Sequence, residues 1–337
     1  MREEILAAPE AVASCLAQTS AFAAIAARLD RLDPSLLVVC ARGSSSHAGT
    51  FLRYVLARDR GMAAAAAMPS IASVYGHRQR LSGALFLVIS QSGRSPDLIR
   101  QTEEARAAGA FCLGLLNDTS APLAGVCDEV IDVTAGPERS VAATKTVLAS
   151  IAAGLALASV WNHDTALRDA LRRLPDRLSE SAMLEWTALA PVLGRVRTLF
   201  TIGRGPGLGI AKEAALKLAE TARIAGIAHS AAELSHGPIA LAGPEFPALA
   251  FIQDDAARSG TEQLASDLAE RGVPVLAAAA LPPPAVVRHL PTLPPDHPDT
   301  DLLTQLLPFY LAAEQAARAR GHDPDHPPGL AKITQTI

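Results

Sequence analysis

Short apolar runs alternate along the chain with longer Ala-rich stretches whose apolar positions recur at helical spacing. The runs are Leu36–Cys40, Leu85–Ile89, Ala110–Leu115, Val130–Val133, Leu199–Ile202, Leu249–Ile252 and Val273–Ala278. They are apolar almost throughout, with Asp132 and Thr201 the polar exceptions, and lack in-and-out alternation, as in strands buried on both faces. Strands alternating with helices in this way predict an α/β fold, a mostly parallel sheet covered by helices on both sides.

The pattern occurs twice. "LLVVCARGSSSHAGTFLRYVL" and "TLFTIGRGPGLGIAKEAALKL" each run from a strand through Arg-Gly into a helix, and "LFLVISQSGRSPDL" and "ALAFIQDDAARSGTEQL" form the next pair. Arg204 follows Arg42, and Ile252 follows Ile89, at nearly one offset of about 160 residues, which argues for two copies of one unit. Chance likeness between Ala-rich halves is the alternative. A polar helical segment, Asp164 to Glu185 with Pro175 inside it, reads as the connection. The expected division is an N-terminal helical segment 1–30, a first domain 31–163, a helical connection 164–190, a second domain 191–320 and a tail 321–337. The Pro-rich stretch from Leu281 to Thr300 reads as a surface excursion around a short edge strand, since proline removes ladder donors.

In open parallel sheets ligands sit beyond the carboxyl ends of strands, so the turns there carry the candidate chemistry. After Leu85–Ile89 comes "SQSGRSPD". Ser95 suits an N-cap, Pro96 the first helical position and Asp97 the first turn, so a helix starts at residue 96 and aims its free N–H groups at the loop. The Ser90, Ser92 and Ser95 hydroxyls and the Gln91 amide add donors without charge, and Gly93 leaves the backbone open to a ligand. This set suits a phosphate monoester; a plain helix cap uses only Ser95. The first turn offers a similar set in Ser44, Ser45 and Ser46. At the matching place the second copy reads Gln253-Asp254-Asp255, whose carboxylates repel phosphate.

The second copy carries titratable side chains instead, in "GIAKEAALKLAETARIAGIAHSAAELSHGPIAL". Lys217 and Glu220 lie three apart and share a helix face, and Glu233 and His236 repeat the spacing before Gly237-Pro238. Taken alone, such pairs read as solvated helix surface and an ordinary turn.

Composition narrows the function. Hydrophobic residues make up 49% of the 337, ample for a core, while charged residues are 19% and the net charge is −4. No basic surface for a phosphate backbone is expected, so nucleic acid is not an expected partner. "MREEILAAPEAV" has acidic residues where a signal peptide is basic, and the apolar stretch Val147–Trp161 is short for a bilayer, so a soluble cytoplasmic protein is expected. Cys15, Cys40, Cys112 and Cys127 lack CxxC spacing and read as buried small hydrophobes. The nine histidines are scattered without ligand spacing, and neither a metal nor another cofactor is expected.

Together, "SQSGRSPD", "PERSVAATKT" (137–146), "GRGPGLGIAKEAALKLAE" (203–220), "AAELSHGP" (231–238) and the tail "GLAKITQTI", in this order, resemble the tandem SIS (sugar isomerase) domain family. The resemblance covers nearly the whole chain and is to the isomerase half of glutamine-fructose-6-phosphate aminotransferase. It implies two SIS domains, each a doubly wound, flavodoxin-like sheet. It further implies a sugar 6-phosphate held by Ser90, Gln91, Ser92 and Ser95 with help from Ser45. Glu220 matches the carboxylate that moves a proton between C1 and C2, and Lys217 its neighbouring lysine. His236 matches the ring-opening histidine contributed by the other subunit of a homodimer, and Lys332 the tail lysine that forms an imine with a ketose. Gly43 and Ser44 of the first turn, and Ala142, Lys145 and Glu233 of the matched motifs, are further substrate-site candidates. Two departures count: residue 2 is Arg, where the aminotransferase has the cysteine nucleophile of its glutaminase domain, so no ammonia from glutamine is expected; and Arg94-Ser95-Pro96-Asp97 replaces that enzyme's acidic residue and threonine. The latter resembles stand-alone type II glucosamine-6-phosphate deaminases. The implied reaction is deamination with isomerisation, glucosamine 6-phosphate plus water giving fructose 6-phosphate plus ammonium. Alternatives on the scaffold are another phosphosugar isomerase, a galactosamine-6-phosphate deaminase, a fructosamine-6-phosphate deglycase or a non-enzymatic sugar-phosphate sensor.

Overall fold

The computed structural model describes residues 1–332; the end of the expected tail, 333–337, lies outside the described residues. The chain forms two compact units. The first comprises Glu10–Glu138, Lys145–Arg172 and the segment that begins at Leu330. The second comprises Met1–Pro9, Arg139–Thr144 and Arg173–Gly329.

The first unit is built on strands β1 (Leu36–Ala41), β2 (Ala63–Ala66), β3 (Leu85–Ser90), β4 (Phe111–Leu116) and β5 (Glu129–Asp132), all parallel in the order β2-β1-β3-β4-β5. Both faces of its central strands are covered. Val38, Cys40, Phe86, Val88 and Cys112 pack on Leu98 and Ala105 of the helix Pro96–Ala107. On the other face Leu37, Leu87 and Leu113 are equally buried, beneath the helices Thr19–Leu32, Gly43–Arg60 and Lys145–Trp161. Lys145–Trp161 is buried at every position but Val160. Its apolarity is that of a core helix, and among the described residues no single helix is long and apolar enough to cross a membrane.

The second unit repeats the plan. Strands β6 (Thr198–Gly203), β7 (Ala225–Ser230), β8 (Ala248–Ile252), β9 (Val275–Ala279) and β10 (Arg288–Leu290) are parallel in the order β10-β9-β8-β6-β7. Counted within each copy, both sheets read second-first-third-fourth-fifth, the flavodoxin-like order. Shared order, direction and offset establish the duplication, and chance likeness is set aside. One face packs on the helix Arg258–Glu270 through Ile202, Ala250 and Leu264; on the other, Phe251 meets Phe309 of the helix Pro298–Ala319 edge to face at 5.8 Å.

The expected strands are all present within a residue or two, and Arg288–Leu290 is the short edge strand of the Pro-rich excursion. Two strands escaped the pattern, β2 and β7, and they hold the same place in the two sheets, the edge beside the first strand. β2 is four exposed alanines, and alanine carries little strand preference.

The four cysteines are free. Cys15, Cys40 and Cys112 are buried as expected, whereas Cys127 is only half-buried. Burial pushes all four thiols up to about 12, so the thiolate, the reactive form, is scarce at pH 8. Native protein is therefore expected to react slowly with a disulfide reagent at pH 8 and to yield all its thiols after denaturation. Rapid native labelling of any one contradicts that placement.

Candidate functional site

Strand order reverses at β1, which has β2 on one side and β3 on the other, and ligands bind at such switch points. The loops leaving β1 and β3 therefore meet at the carboxyl edge of the first sheet. An ion pair with one buried partner fixes them together: the half-exposed Arg42, directly after β1, donates from Nε at 2.8 Å to Asp97, whose side chain has no exposed surface. Asp97 also accepts the Leu98 N–H at 2.9 Å, so one carboxylate serves both the helix start and the neighbouring loop.

Within the Ser90–Ser95 loop, Ser90 is buried and its Oγ accepts the Gly93 N–H at 3.0 Å. The Ser92 Oγ accepts the Arg94 N–H at 3.3 Å. Ser95 is the N-cap residue of the helix Pro96–Ala107, as expected, yet its hydroxyl makes no capping bond, and Asp97 takes that work. Gly93 has φ +62°, and a Cβ there would lie 2.6 Å from the Ala121 Cβ. Glycine is thus required by backbone conformation and packing, before any ligand is considered. Gly93→Ala is expected to cost about 2 kcal/mol, read as a lowered denaturation midpoint. An unchanged midpoint contradicts this loop geometry.

A cleft of about 430 Å³ opens on this loop, lined by Gln91, Ser92, Arg94, Asn117, Asp118, Gly136, Pro137 and Lys332. Asn117 braces its rim, donating to the Gly136 carbonyl at 2.9 Å and accepting the Ala135 N–H at 2.8 Å. Lys332 stands 3.7 Å from the carboxylate of Glu138, whose side chain is wholly buried and accepts the Thr146 Oγ1–H at 2.5 Å. The sequence-predicted Gln91, Ser92 and Lys332 thus share one cleft, and Ser90 forms the turn of the loop that lines it. Ser44 is buried and Ser45 half-buried in the first turn of the helix Gly43–Arg60, with Gly43 exposed at φ +52°. Lys145 is buried at the start of Lys145–Trp161. Ala142 is buried in the stretch belonging to the second unit, where the neighbouring Val141 N–H donates to the Asp325 carbonyl at 3.2 Å.

In the second unit the β8 loop is closed to an anion by its own carboxylates. Asp255 accepts the Ala257 N–H at 2.8 Å, and Asp254 pairs with Arg258 at 3.1 Å. The titratable cluster stands on the helix Gly207–Lys217 and the π-helical turn Leu218–Ala222 that follows it. Such wide turns recur at functional sites because the extra residue re-aims the side chains beyond it. Lys217 has no exposed side-chain surface and sits between Glu213, 3.4 Å away, and Glu220, to which its Nζ donates. The buried Tyr310 hydroxyl donates to Glu213 at 3.1 Å. Lys217–Glu220 is therefore no solvated surface pair: the lysine is enclosed, and Glu220 alone keeps access to solvent, at 19% of its side chain. Glu233 and His236 are exposed, in the short helix Ala231–Leu234 and the turn after it.

The sequence reading passed over Glu213, Glu138, Arg94 and Asp118. Glu213 had a signal, four residues before Lys217 on the same helix face. Glu138 had one in its place ahead of the Thr-Lys-Thr helix start.

The SIS domain model matches residues 33–160, which lie in the first unit apart from 139–144, and 193–289, in the second, together more than half of the chain. The chain belongs to the SIS domain family. It is 33% identical over 325 residues to glutamine--fructose-6-phosphate aminotransferase [isomerizing] of Symbiobacterium thermophilum, an alignment covering 91% of this chain and 52% of the relative. The SIS chain thus spans about half the length of the curated relatives it matches. A crystal structure from Silicibacter pomeroyi DSS-3, provisionally described as a phosphosugar isomerase, superposes with a TM-score of 0.91 at 41% identity, covering 96% of this chain and 99% of that one. Glucosamine-6-phosphate deaminase of Thermotoga maritima shares the fold with a TM-score of 0.75 at 17% identity, covering 98% of this chain and 100% of the other.

Proposed function

We propose that this SIS protein is an amino-sugar phosphate deaminase that converts glucosamine 6-phosphate and water into fructose 6-phosphate and ammonium. The observation that carries the reading is Glu220, a solvent-reaching carboxylate held by a fully buried ammonium that a second carboxylate compensates. A carboxylate so held can take a proton from one carbon and return it to the next.

In this reading Ser90, Gln91, Ser92, Ser95 and Ser45 hold the phosphate. His236 opens the pyranose; its exposed position in the second unit suits service to a neighbouring subunit of a homodimer. Glu220 takes the C2 proton of the open aldehyde, leaving an enolamine, and returns it to C1. The product is the C2 imine of fructose 6-phosphate, and water adds to it with loss of ammonia. Lys217, enclosed behind Glu220, stabilises through its field the negative charge that develops at O1. Lys332, which lines the same cleft as Gln91 and Ser92, is assigned the imine with the ketose. The proposed setting is the cytoplasm, which free thiols suit.

A second reading, aldose–ketose isomerisation of a sugar phosphate, uses the same proton transfer without loss of nitrogen. The Silicibacter pomeroyi structure favours keeping it. Purified protein with glucosamine 6-phosphate and no glutamine is expected to release ammonium and fructose 6-phosphate in equal amounts. Conversion of an unaminated aldose phosphate alone selects the isomerase, and no turnover of either class overturns both readings.

A further inference from the structure

A phosphate monoester carries a charge of nearly −2 at neutral pH, and hydroxyls and amides answer it with uncharged donors only. A cationic donor adds a direct attraction between opposite charges to its hydrogen bonds. Among the described residues lining the cleft, the cations are Arg94 and Lys332 and the carboxylate is Asp118. Lys332 has the buried Glu138 beside it at 3.7 Å. Arg94 is differently placed. Its backbone N–H is tied to the Ser92 hydroxyl, and the preceding glycine is wedged against Ala121, so the base of the side chain is fixed. Its guanidinium uses Nη2 on Asp118 at 2.9 Å, in a pair where both side chains are substantially exposed. A guanidinium has five N–H donors, and the others are left for a ligand.

Asp118 is in turn held in place, accepting the Ser120 N–H at 3.0 Å and the Ser120 Oγ–H at 2.6 Å. Those bonds, and then the Arg94 guanidinium, keep its carboxyl below the usual range, so it is anionic throughout the neutral region. An anion is thus already parked against the arginine of the loop.

We infer that Arg94 is a further phosphate-binding residue of this cleft and that Asp118 is its resident competitor, which gives up the guanidinium when phosphate arrives. The inference rests on reading the cleft as a sugar-phosphate site. An exposed ion pair in water is weak enough to be exchanged for a dianion, and the loop backbone holds the base of the arginine side chain at the cleft. Binding then carries a charge term that the hydroxyls alone do not supply, and it falls as salt is added.

The test is calorimetric titration of the full chain with fructose 6-phosphate, and separately with inorganic phosphate, which distinguishes a sugar phosphate from the bare anion. Arg94→Ala is expected to weaken both by tenfold or more, the size of one charge-assisted hydrogen bond, to flatten the salt dependence, and to change kcat far less than KM. Asp118→Asn keeps the acceptor for Ser120 but removes the competing charge, and is expected to tighten binding severalfold, the opposite sign. Unchanged affinity in a folded Arg94→Ala variant overturns the inference, as does weakening by Asp118→Asn, which makes the pair a structural brace. Ser92→Ala separates this from the wider reading. If it weakens phosphate binding while Arg94→Ala does not, only the role of Arg94 falls. If neither variant weakens it, the cleft is not a phosphate site and the proposed function falls with it.

Discussion

Glu220→Gln is expected to lower kcat by between about a hundredfold and ten-thousandfold, the range for removing a positioned general base, while fructose 6-phosphate binding stays within a few-fold of wild type. The amide preserves shape and can still accept from Lys217, so the buried lysine keeps a partner and the fold is spared. What disappears is the capacity to carry a proton between adjacent carbons. Parallel loss of affinity and turnover points to a structural role for Glu220, and full activity removes it from the mechanism. Steady-state kinetics with a binding titration on the same preparation separates the outcomes.

Lys217→Met is expected to be the most damaging single change to stability, at about 3 to 5 kcal/mol, the usual result of removing one partner from a buried pair. Methionine fills the space but leaves Glu213, 1% exposed, without its ammonium and with Tyr310 still donating to it. Glu213 must then stay charged in a low dielectric or take up a proton. A double variant, Lys217→Met with Glu213→Gln, is expected to recover much of the loss because position 213 no longer holds a buried charge without its ammonium. Chemical denaturation of the single and double variants gives the coupling; equal destabilisation of both contradicts the compensation of Lys217 by Glu213.

Seven strands were legible as apolar runs: β1, β3, β4, β6, β8 and β9 are buried almost throughout and accordingly mostly apolar, while β5, a partly buried edge strand, was legible from Val130 and Ile131. The edge strands β2 and β7 were not, since Ala63–Ala66 and Ala225–Ser230 consist largely of small residues whose pairing is imposed by β1 and β6. The Ser90–Ser95 loop was legible from its surplus of hydroxyls at a helix start, and the structure sharpens it: Ser90 builds the turn, Gly93 answers a packing constraint, and Ser95 is spared from capping. The Lys217–Glu220 spacing was visible, but its burial was not. An i,i+3 pair of opposite charges looks solvated until the helix Pro298–Ala319, far along the chain, brings Tyr310 to Glu213. Glu138 with Lys332, and Arg94 with Asp118, are likewise pairings made by tertiary structure, which no local pattern announces.

The central claim is that Glu220 carries the proton between C2 and C1, and the conversion of glucosamine 6-phosphate in D₂O, followed by NMR, tests it most directly. The account predicts that wild-type protein forms fructose 6-phosphate retaining part of the C2 hydrogen at C1, because one carboxylate hands it over faster than solvent exchanges it. Glu220→Gln is predicted to lose both product formation and exchange at C2. Product or exchange at the wild-type rate in that variant contradicts the claim.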